Sequence, residues 1–169
     1  MLTISRLVSR RSFMAQSGQW LGALALASSF PATGEAKILK QLVGAYYAAY
    51  ESLDPERLLA FYTEDCVLED PTFHFKVEGK TKLRELFAGQ RPLFLEAKFT
   101  VKNLLISGRH AISQYVQAAT MKDTRNPNAT PFKYAVKGIS LFEFEQEKVK
   151  RQTNYYEVLT FPKQSGWRV

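Results

Sequence analysis

Apolar residues in the first part of the folded region recur at helical spacing, which predicts a helix over residues 37–53. The residues on its apolar stripe are Ile38, Leu39, Leu42, Val43, Tyr46, Ala49, Tyr50 and Leu53. Asp54 and Pro55 then form a helix N-cap followed by a proline at the first helical position. Apolar residues up to Tyr62 predict a short second helix, and the polar residues 63–65 predict a turn.

Runs of β-type residues predict the strands. A short strand covers residues 66–70, whereas the aromatic segment 72–78 is either a loop or a short strand. A third helix opens at Gly79 and ends at Pro92. Long strands follow at about 96–107, 111–122, 132–145 and 148–161.

This order of elements predicts an α+β fold. Two helices, a strand and a third helix precede a run of antiparallel strands, so the helices pack on one face of a strongly curved sheet. Such a sheet encloses a cone, and the mouth of the cone can admit a small apolar molecule.

Composition limits the classes of function. The chain has 169 residues, of which 46% are hydrophobic and 13% aromatic, enough for one well-packed domain plus an N-terminal extension. The formal charge of +7 comes from scattered basic residues, so we expect no nucleic-acid partner. No apolar run reaches transmembrane length, so we expect no stable membrane anchor. Cys66 is the only cysteine, which excludes an intramolecular disulfide.

The N-terminal segment has the character of a targeting signal. Arg10 and Arg11 follow a serine and precede Phe13 by two positions, which resembles a bacterial twin-arginine export signal. The apolar stretch 20–27 is too short to span a bilayer, and the small-residue pattern offers two alternative cleavage sites, after Ala27 or after Ala36. We therefore expect residues 1–36 to be a signal peptide and linker, and residues 37–169 to be the domain. The resemblance implies the twin-arginine export machinery as a partner and a periplasmic, lumenal or extracellular destination.

A carboxylate and a phenol suggest chemistry inside the cone. Asp70 ends the short strand immediately before Pro71, and Tyr46 lies on the apolar stripe of the first helix. Together they are a candidate base and a candidate oxyanion donor. In the last strand, alternation places Gln152, Asn154 and Tyr156 on one face, and we expect this set to contact the ligand, because buried amides there suit a cavity that binds a polar group or an ordered water. Asp70 could instead simply cap a turn before the proline, and Tyr46 could simply belong to the core.

The stretch from Tyr46 to Pro71 resembles that of the bacterial ketosteroid isomerases, members of the SnoaL-like, nuclear-transport-factor-two-like superfamily. The resemblance implies a cone-shaped, cystatin-like α+β roll with a mixed sheet. It places the general base on Asp70, the oxyanion donor on Tyr46 and a second cavity tyrosine on Tyr62. These isomerases use a protonated aspartic acid as another donor, and they are the standard example of a carboxylic acid that stays neutral in order to donate a hydrogen bond. Ser140 occupies that position here and is a weaker donor.

Two functions remain open. In the first, the domain is an isomerase, cyclase or dehydratase, or in a variant a lyase, that binds a small, largely apolar carbonyl compound. In the second, it is a non-catalytic ligand-binding or assembly module of the same superfamily. His74 is either a titrating group at the mouth or a solvated loop residue. We expect no metal and no cofactor. The resemblance also implies a homodimer formed through the outer sheet face, where Thr153 and Tyr155 lie.

Overall fold

A computed structural model describes residues 34–122, 128 and 130–157 of the chain. The predicted export signal falls almost entirely outside these residues. The same is true of the end of the predicted last strand, residues 158–161.

Among the described residues, three helices lie N-terminal to the long strands, as predicted. Helix α1 spans Gly34–Glu51 and helix α2 spans Pro55–Leu59. Asp54 caps α2, because its carboxylate accepts hydrogen bonds from the backbone N–H of Glu56 at 3.0 Å and of Arg57 at 3.3 Å. Helix α3 spans Lys80–Gln90. Within the described part of the chain, no helix has both the length and the apolar content needed to cross a bilayer.

Six strands form one sheet in the part of the chain that the structure describes. Their bounds are β1 Tyr62–Asp70, β2 Phe75–Glu78, β3 Phe94–Ser107, β4 His110–Met121, β5 Phe132–Glu145 and β6 Lys148–Tyr156. The strand order is β2-β1-β6-β5-β4-β3. Strands β1 and β6 pair in parallel, and every other neighbouring pair is antiparallel. The prediction of an α+β fold with a mixed sheet is confirmed.

The predicted boundary between the second helix and the first strand is wrong. Helix α2 ends at Leu59, and β1 already begins at Tyr62. The polar residues 63–65 therefore belong to the strand and not to a turn. The pairing of β1 with β6 shifts register between Tyr62 and Val67, and the exposed Glu64 and Asp65 face solvent there. These residues are polar because this irregular part of the strand is exposed to solvent.

The segment left open by the sequence contains both a turn and a strand. Residues 71–74 form the turn, and β2 follows it. Gly79 joins β2 directly to α3 with a φ of 86°, a left-handed value that a residue with a side chain adopts only with strain. Pro92 lies in a short 3₁₀ turn, Arg91–Leu93, so the helix does end at the predicted place.

The core lies between the helices and the concave face of the sheet. One apolar cluster includes Tyr46, Tyr62, Phe87 and Phe142, and a second includes Met121, Tyr134 and Val136. Register shifts within β3 and between β5 and β6 allow the long strands to bend around the helices. Residues of both clusters line one cavity, which positions the candidate site.

Candidate functional site

The cavity has a volume of about 200 Å³. A dry apolar cavity of about 150 Å³ is large enough to hold benzene, so this one suits a molecule slightly larger than a single aromatic ring. Most of its lining is aromatic or aliphatic, and the polar groups are few. The polar and phenolic residues that line it are Tyr46, Tyr50, Asp70, Gln90, Gln117, Tyr134, Asn154, Tyr156 and Glu157.

Asp70 is a buried carboxylate in this lining, with only 3% of its surface exposed. It ends β1, and its Oδ1 accepts a hydrogen bond from the backbone N–H of Phe73 at 3.1 Å. Burial raises the pKa of the Asp70 carboxyl, while the backbone N–H groups of Phe73 and Thr72 oppose the rise. The Tyr46 hydroxyl, by contrast, bonds to the Tyr62 hydroxyl.

The turn that holds Asp70 is itself tied to the last strand. The backbone N–H of Tyr156 donates to Oγ1 of Thr72 at 3.2 Å. The ring of Phe73 lies 6.0 Å from the ring of Tyr156, centroid to centroid. The Asp70 carboxylate is therefore fixed both by its own turn and by contact with β6.

Tyr46 and Tyr62 form a buried pair of phenols. Their hydroxyl oxygens are 3.1 Å apart, and the Tyr62 hydroxyl donates to Oε1 of Gln152 at 2.5 Å. Burial raises the pKa of both phenols well above the ordinary value, so both are neutral hydrogen-bond donors at physiological pH. Tyr46 lines the cavity, whereas Tyr62 lies behind it.

The hydrogen bonds continue along β6 and on to β5. Nε2 of Gln152 donates to Oδ1 of Asn154 at 2.8 Å, and Oγ of Ser140 donates to the same oxygen at 2.7 Å. Oγ of Ser140 is also 3.5 Å from the hydroxyl of Tyr115. We call this set the polar chain: Tyr46, Tyr62, Gln152, Asn154, Ser140 and Tyr115.

Only some of the predicted site residues reach the cavity. Asp70, Tyr46, Asn154 and Tyr156 line it. The predicted ligand contacts Tyr62, Gln152 and Ser140 are buried behind the lining, where they bond to its members. They support the site from behind.

His74 is placed away from the cavity. It lies in the turn after Asp70 with an exposed side chain and a φ of 54°. It is not among the residues that line the cavity. The placement matches the solvated-loop alternative.

Tyr50 is a cavity residue that we did not single out from the sequence. Burial and the nearby negative charge of Asp70 raise the pKa of its phenol to about 12. It lies one helical turn after Tyr46, so the helical stripe alone could have placed it beside the site. Its neutral hydroxyl adds a donor near the carboxylate.

Gln117 and Tyr134 are also cavity residues that the sequence analysis missed. Nε2 of Gln117 donates to the Tyr134 hydroxyl at 3.1 Å, and both side chains line the cavity. A polar glutamine between inward-facing Tyr115 and Ala119 on β4 was the available signal. This pair gives the end of the cavity near Met121 a polar group as well.

The described residues contain no group of three or more His, Cys, Asp or Glu side chains arranged to hold a metal ion. The buried carboxyl of the cavity lining belongs to Asp70, and most of the other lining residues contribute phenols, amides or hydrocarbon. The arrangement can accept a proton at Asp70 and donate hydrogen bonds from phenols and amides of the same lining.

Comparison with known proteins identifies relatives of this fold. The family model of the SnoaL-like domain matches residues 43–152. No curated protein matches the chain. A candidate SnoaL-like polyketide cyclase from Shewanella denitrificans OS-217 has a similar structure, with a TM-score of 0.69 and 19% identity over 75% of this chain and 96% of that one.

Two further solved structures show the same fold. A hypothetical protein with a ketosteroid isomerase-like fold from Catenulispora acidiphila DSM 44928, in complex with trimethylamine, has a TM-score of 0.65. It is 20% identical over 76% of this chain and 94% of that one. A candidate isomerase from Bacillus subtilis has a TM-score of 0.65 and 16% identity, covering 78% and 95% of the two chains.

Proposed function

The chain belongs to the SnoaL-like domain family, and from that premise we propose that it binds a small, largely apolar carbonyl compound and removes a proton from it. Asp70 is the proposed general base, acting on a carbon next to the carbonyl group. The observation that carries the proposal is the buried Asp70 carboxylate in the lining of a largely apolar cavity. Isomerisation, ring closure and dehydration can all begin with this step.

Burial suits Asp70 to this role. Its raised pKa makes the carboxylate a stronger base than an exposed one. The two backbone N–H groups of the turn favour the charged form and oppose part of that rise. The proton passes from carbon to Asp70, and the electron pair of the C–H bond moves toward the carbonyl oxygen. That oxygen then needs a hydrogen-bond donor, for which the cavity offers Tyr46 and Asn154.

The structural relatives support the reaction class only by their descriptions. Two of them are named as a candidate polyketide cyclase and a candidate isomerase. Their identity to this chain is 19% and 16%, so the likeness itself concerns the fold alone. An enolate intermediate is common to cyclisation and isomerisation, which is why the proposal is limited to that first step.

Proton abstraction can be tested before the natural substrate is known. The purified protein would be incubated in D₂O with a panel of small ketones, and loss of the proton signal next to the carbonyl followed by NMR. We expect exchange above the buffer rate for at least one ketone, and none above it with Asp70→Asn. Equal exchange by the two proteins would refute the role of Asp70.

A second function is favoured by one specific contact. Oδ1 of Asp70 accepts a bond from Phe73 in its own turn, as a purely structural turn cap would. In that case the domain is a ligand carrier. Thermal-shift measurements would then show ligands that bind the wild type and Asp70→Asn equally, with no exchange or turnover by either protein.

We further propose that the protein is exported by the twin-arginine route. The support is the sequence of residues 9–13, in which Arg10 and Arg11 are paired. Replacing both arginines by lysine should retain the protein in the cytoplasm of a host that has this export route. Unchanged export of the double variant would mean another route.

A further inference from the structure

Tyr46 and Asn154 both offer a hydrogen-bond donor to the cavity, and the polar chain decides which of them is available. A phenol has a single proton, and a primary amide has two protons on nitrogen and none on oxygen. The direction of each hydrogen bond in the chain therefore constrains the next one. The distances indicate that direction.

The contact between Tyr62 and Gln152 sets the direction on one side. At 2.5 Å it matches an O–H···O bond and is shorter than the usual range for N–H···O bonds. The proton of Tyr62 therefore goes to the amide oxygen of Gln152. The Tyr62 oxygen can then only accept from Tyr46, 3.1 Å away. The single proton of Tyr46 is consumed inside the chain.

The contacts of Asn154 set the direction on the other side. With its oxygen facing Tyr62, Gln152 presents its nitrogen to Asn154 and donates to Oδ1 at 2.8 Å. Ser140 donates to the same oxygen at 2.7 Å. Oδ1 thus accepts two hydrogen bonds from residues that lie behind the lining. The opposite end of the amide, Nδ2, carries two protons, and Asn154 itself lines the cavity.

The opposite direction would require a different cavity. If Gln152 were turned so that its nitrogen faced Tyr62, its oxygen would face Oδ1 of Asn154, and two acceptors would lie 2.8 Å apart. Asn154 would then also have to turn, and an acceptor oxygen would enter the cavity in place of a donor. The two directions are therefore mutually exclusive: either Asn154 donates into the cavity or Tyr46 does.

We propose that Asn154, and not Tyr46, donates the hydrogen bond to the oxygen of the bound compound. The inference rests on the proposed function only in taking that compound to carry a carbonyl oxygen. Tyr46 keeps an oxygen lone pair toward the cavity and acts there as an acceptor. The site then suits a compound with an acceptor oxygen at Asn154 and an apolar body against Leu68 and Phe87.

Carbonyl-¹³C acetophenone is a suitable probe, because its infrared carbonyl stretch moves to lower frequency when the oxygen accepts a hydrogen bond. The proteins compared are wild type, Asn154→Ala, Tyr46→Phe and, as a control, Thr153→Ala on the other face of the same strand. We expect Asn154→Ala to lose most of the frequency shift and to bind roughly 3- to 10-fold more weakly. We expect Tyr46→Phe to keep the shift. Loss of the shift in Tyr46→Phe and its retention in Asn154→Ala would overturn the assignment.

A second measurement needs no ligand. Side-chain amide groups labelled with ¹⁵N would be followed by NMR, and the Asn154 signals assigned by their absence in Asn154→Ala. We expect the Asn154 amide protons to exchange with water faster than those of Gln152, because only Asn154 presents its nitrogen to the cavity. Equal or slower exchange at Asn154 would overturn the assignment. If acetophenone and other small ketones fail to bind, the proposed function is weakened, while the order of exchange still decides the direction of the polar chain.

Discussion

The two faces of the sheet both depart from the usual rule that apolar side chains are buried and polar side chains are exposed. The concave face buries polar side chains, among them Ser140, Gln152 and Asn154. The convex face leaves large apolar side chains exposed, and Leu105 has 67% of its surface accessible. Polar groups inside a core are tolerated only when they are bonded, and apolar groups outside usually indicate a partner. The concave face therefore needs hydrogen-bond partners for its buried polar groups, and the convex face needs a partner to cover its apolar groups.

The exposed apolar residues of the convex face form a continuous row. Leu105 pairs with Ile112, and Ile112 with Leu141, so the apolar row crosses three strands and ends beside the half-buried Thr153 of β6. Tyr155 lies next to this row on β6, opposite Ile139 of β5. We propose that a second copy of the chain covers the row, giving a homodimer. A two-fold symmetric pair needs only one such self-complementary face.

The strongest test of the concave face is Asp70→Asn. The amide keeps the shape and the Oδ1 acceptor of the turn but cannot take a proton. We expect exchange or turnover of any identified substrate to fall by roughly 10²- to 10⁴-fold, with binding nearly unchanged. Thr153→Ala, on the convex face, should retain the wild-type rate. A wild-type rate in Asp70→Asn would leave the concave face without a base.

The strongest test of the convex face is Leu141→Lys. Leu141 lies in the middle of the apolar row, and in a symmetric dimer one substitution acts at two places. Loss of the apolar contact and burial of the ammonium group should weaken association by about 100-fold or more. Sedimentation velocity at micromolar concentration measures the change. Ile38→Lys, at an exposed apolar position on α1, should leave the dimer intact. A monomeric wild type would contradict the proposal.

A smaller expected effect is the difference in stability lost when a buried hydroxyl group of the concave face and an exposed one of the convex face are removed. Tyr62→Phe leaves Oε1 of Gln152 without its donor in a fully buried site. We expect this to lower the free energy of unfolding by about 1–3 kcal/mol, measured by urea denaturation. Tyr155→Phe removes an exposed hydroxyl on the convex face and should change the free energy by less than about 0.5 kcal/mol. Similar losses in the two variants would mean that the polar chain contributes no more than a surface hydroxyl.

The sequence predicted the elements because their periods are local properties of the chain. The stripe through Tyr46 predicted α1, and alternation placed Gln152 and Asn154 on one face of β6, which the structure shows to be the inner face. The start of β1 was missed because residues 63–65 are polar, and polarity alone does not distinguish a turn from a wet strand. The fold class needed only the order of elements, which survives such an error.

The contents of the cavity were harder to predict, because they depend on how distant elements meet. Gln117 comes from β4 and Tyr134 from β5, and the curvature of the sheet brings them to the same cavity as Asp70. Ser140 was expected to contact the ligand, but Asn154 lines the cavity, and Ser140 lies behind it and donates to its oxygen. The sequence also gives no direction for hydrogen bonds, which follows only from distances between atoms.

The smallest predicted effect concerns pH. Burial raises the pKa of Asp70 in the folded state above its unfolded value of about 3.9, so the folded protein holds this proton to higher pH. The contribution of Asp70 to stability is therefore fully present below the unfolded pKa, and is lost as pH rises through the folded pKa. The slope should be shallow, because the N–H groups of Phe73 and Thr72 oppose the shift. Exposed carboxyls such as Glu56 and Glu78 have lowered pKa values, so their contributions to stability change with pH in the opposite direction.

The contribution of Asp70 is therefore measured as the difference in free energy of unfolding between wild type and Asp70→Asn, by urea denaturation from about pH 3.5 to 7. We expect the wild type to lose stability relative to the variant as pH rises. A relative gain would mean that the turn lowers the pKa of Asp70 more than burial raises it. The carboxylate would then serve mainly to cap the turn, which would count against its role as a base.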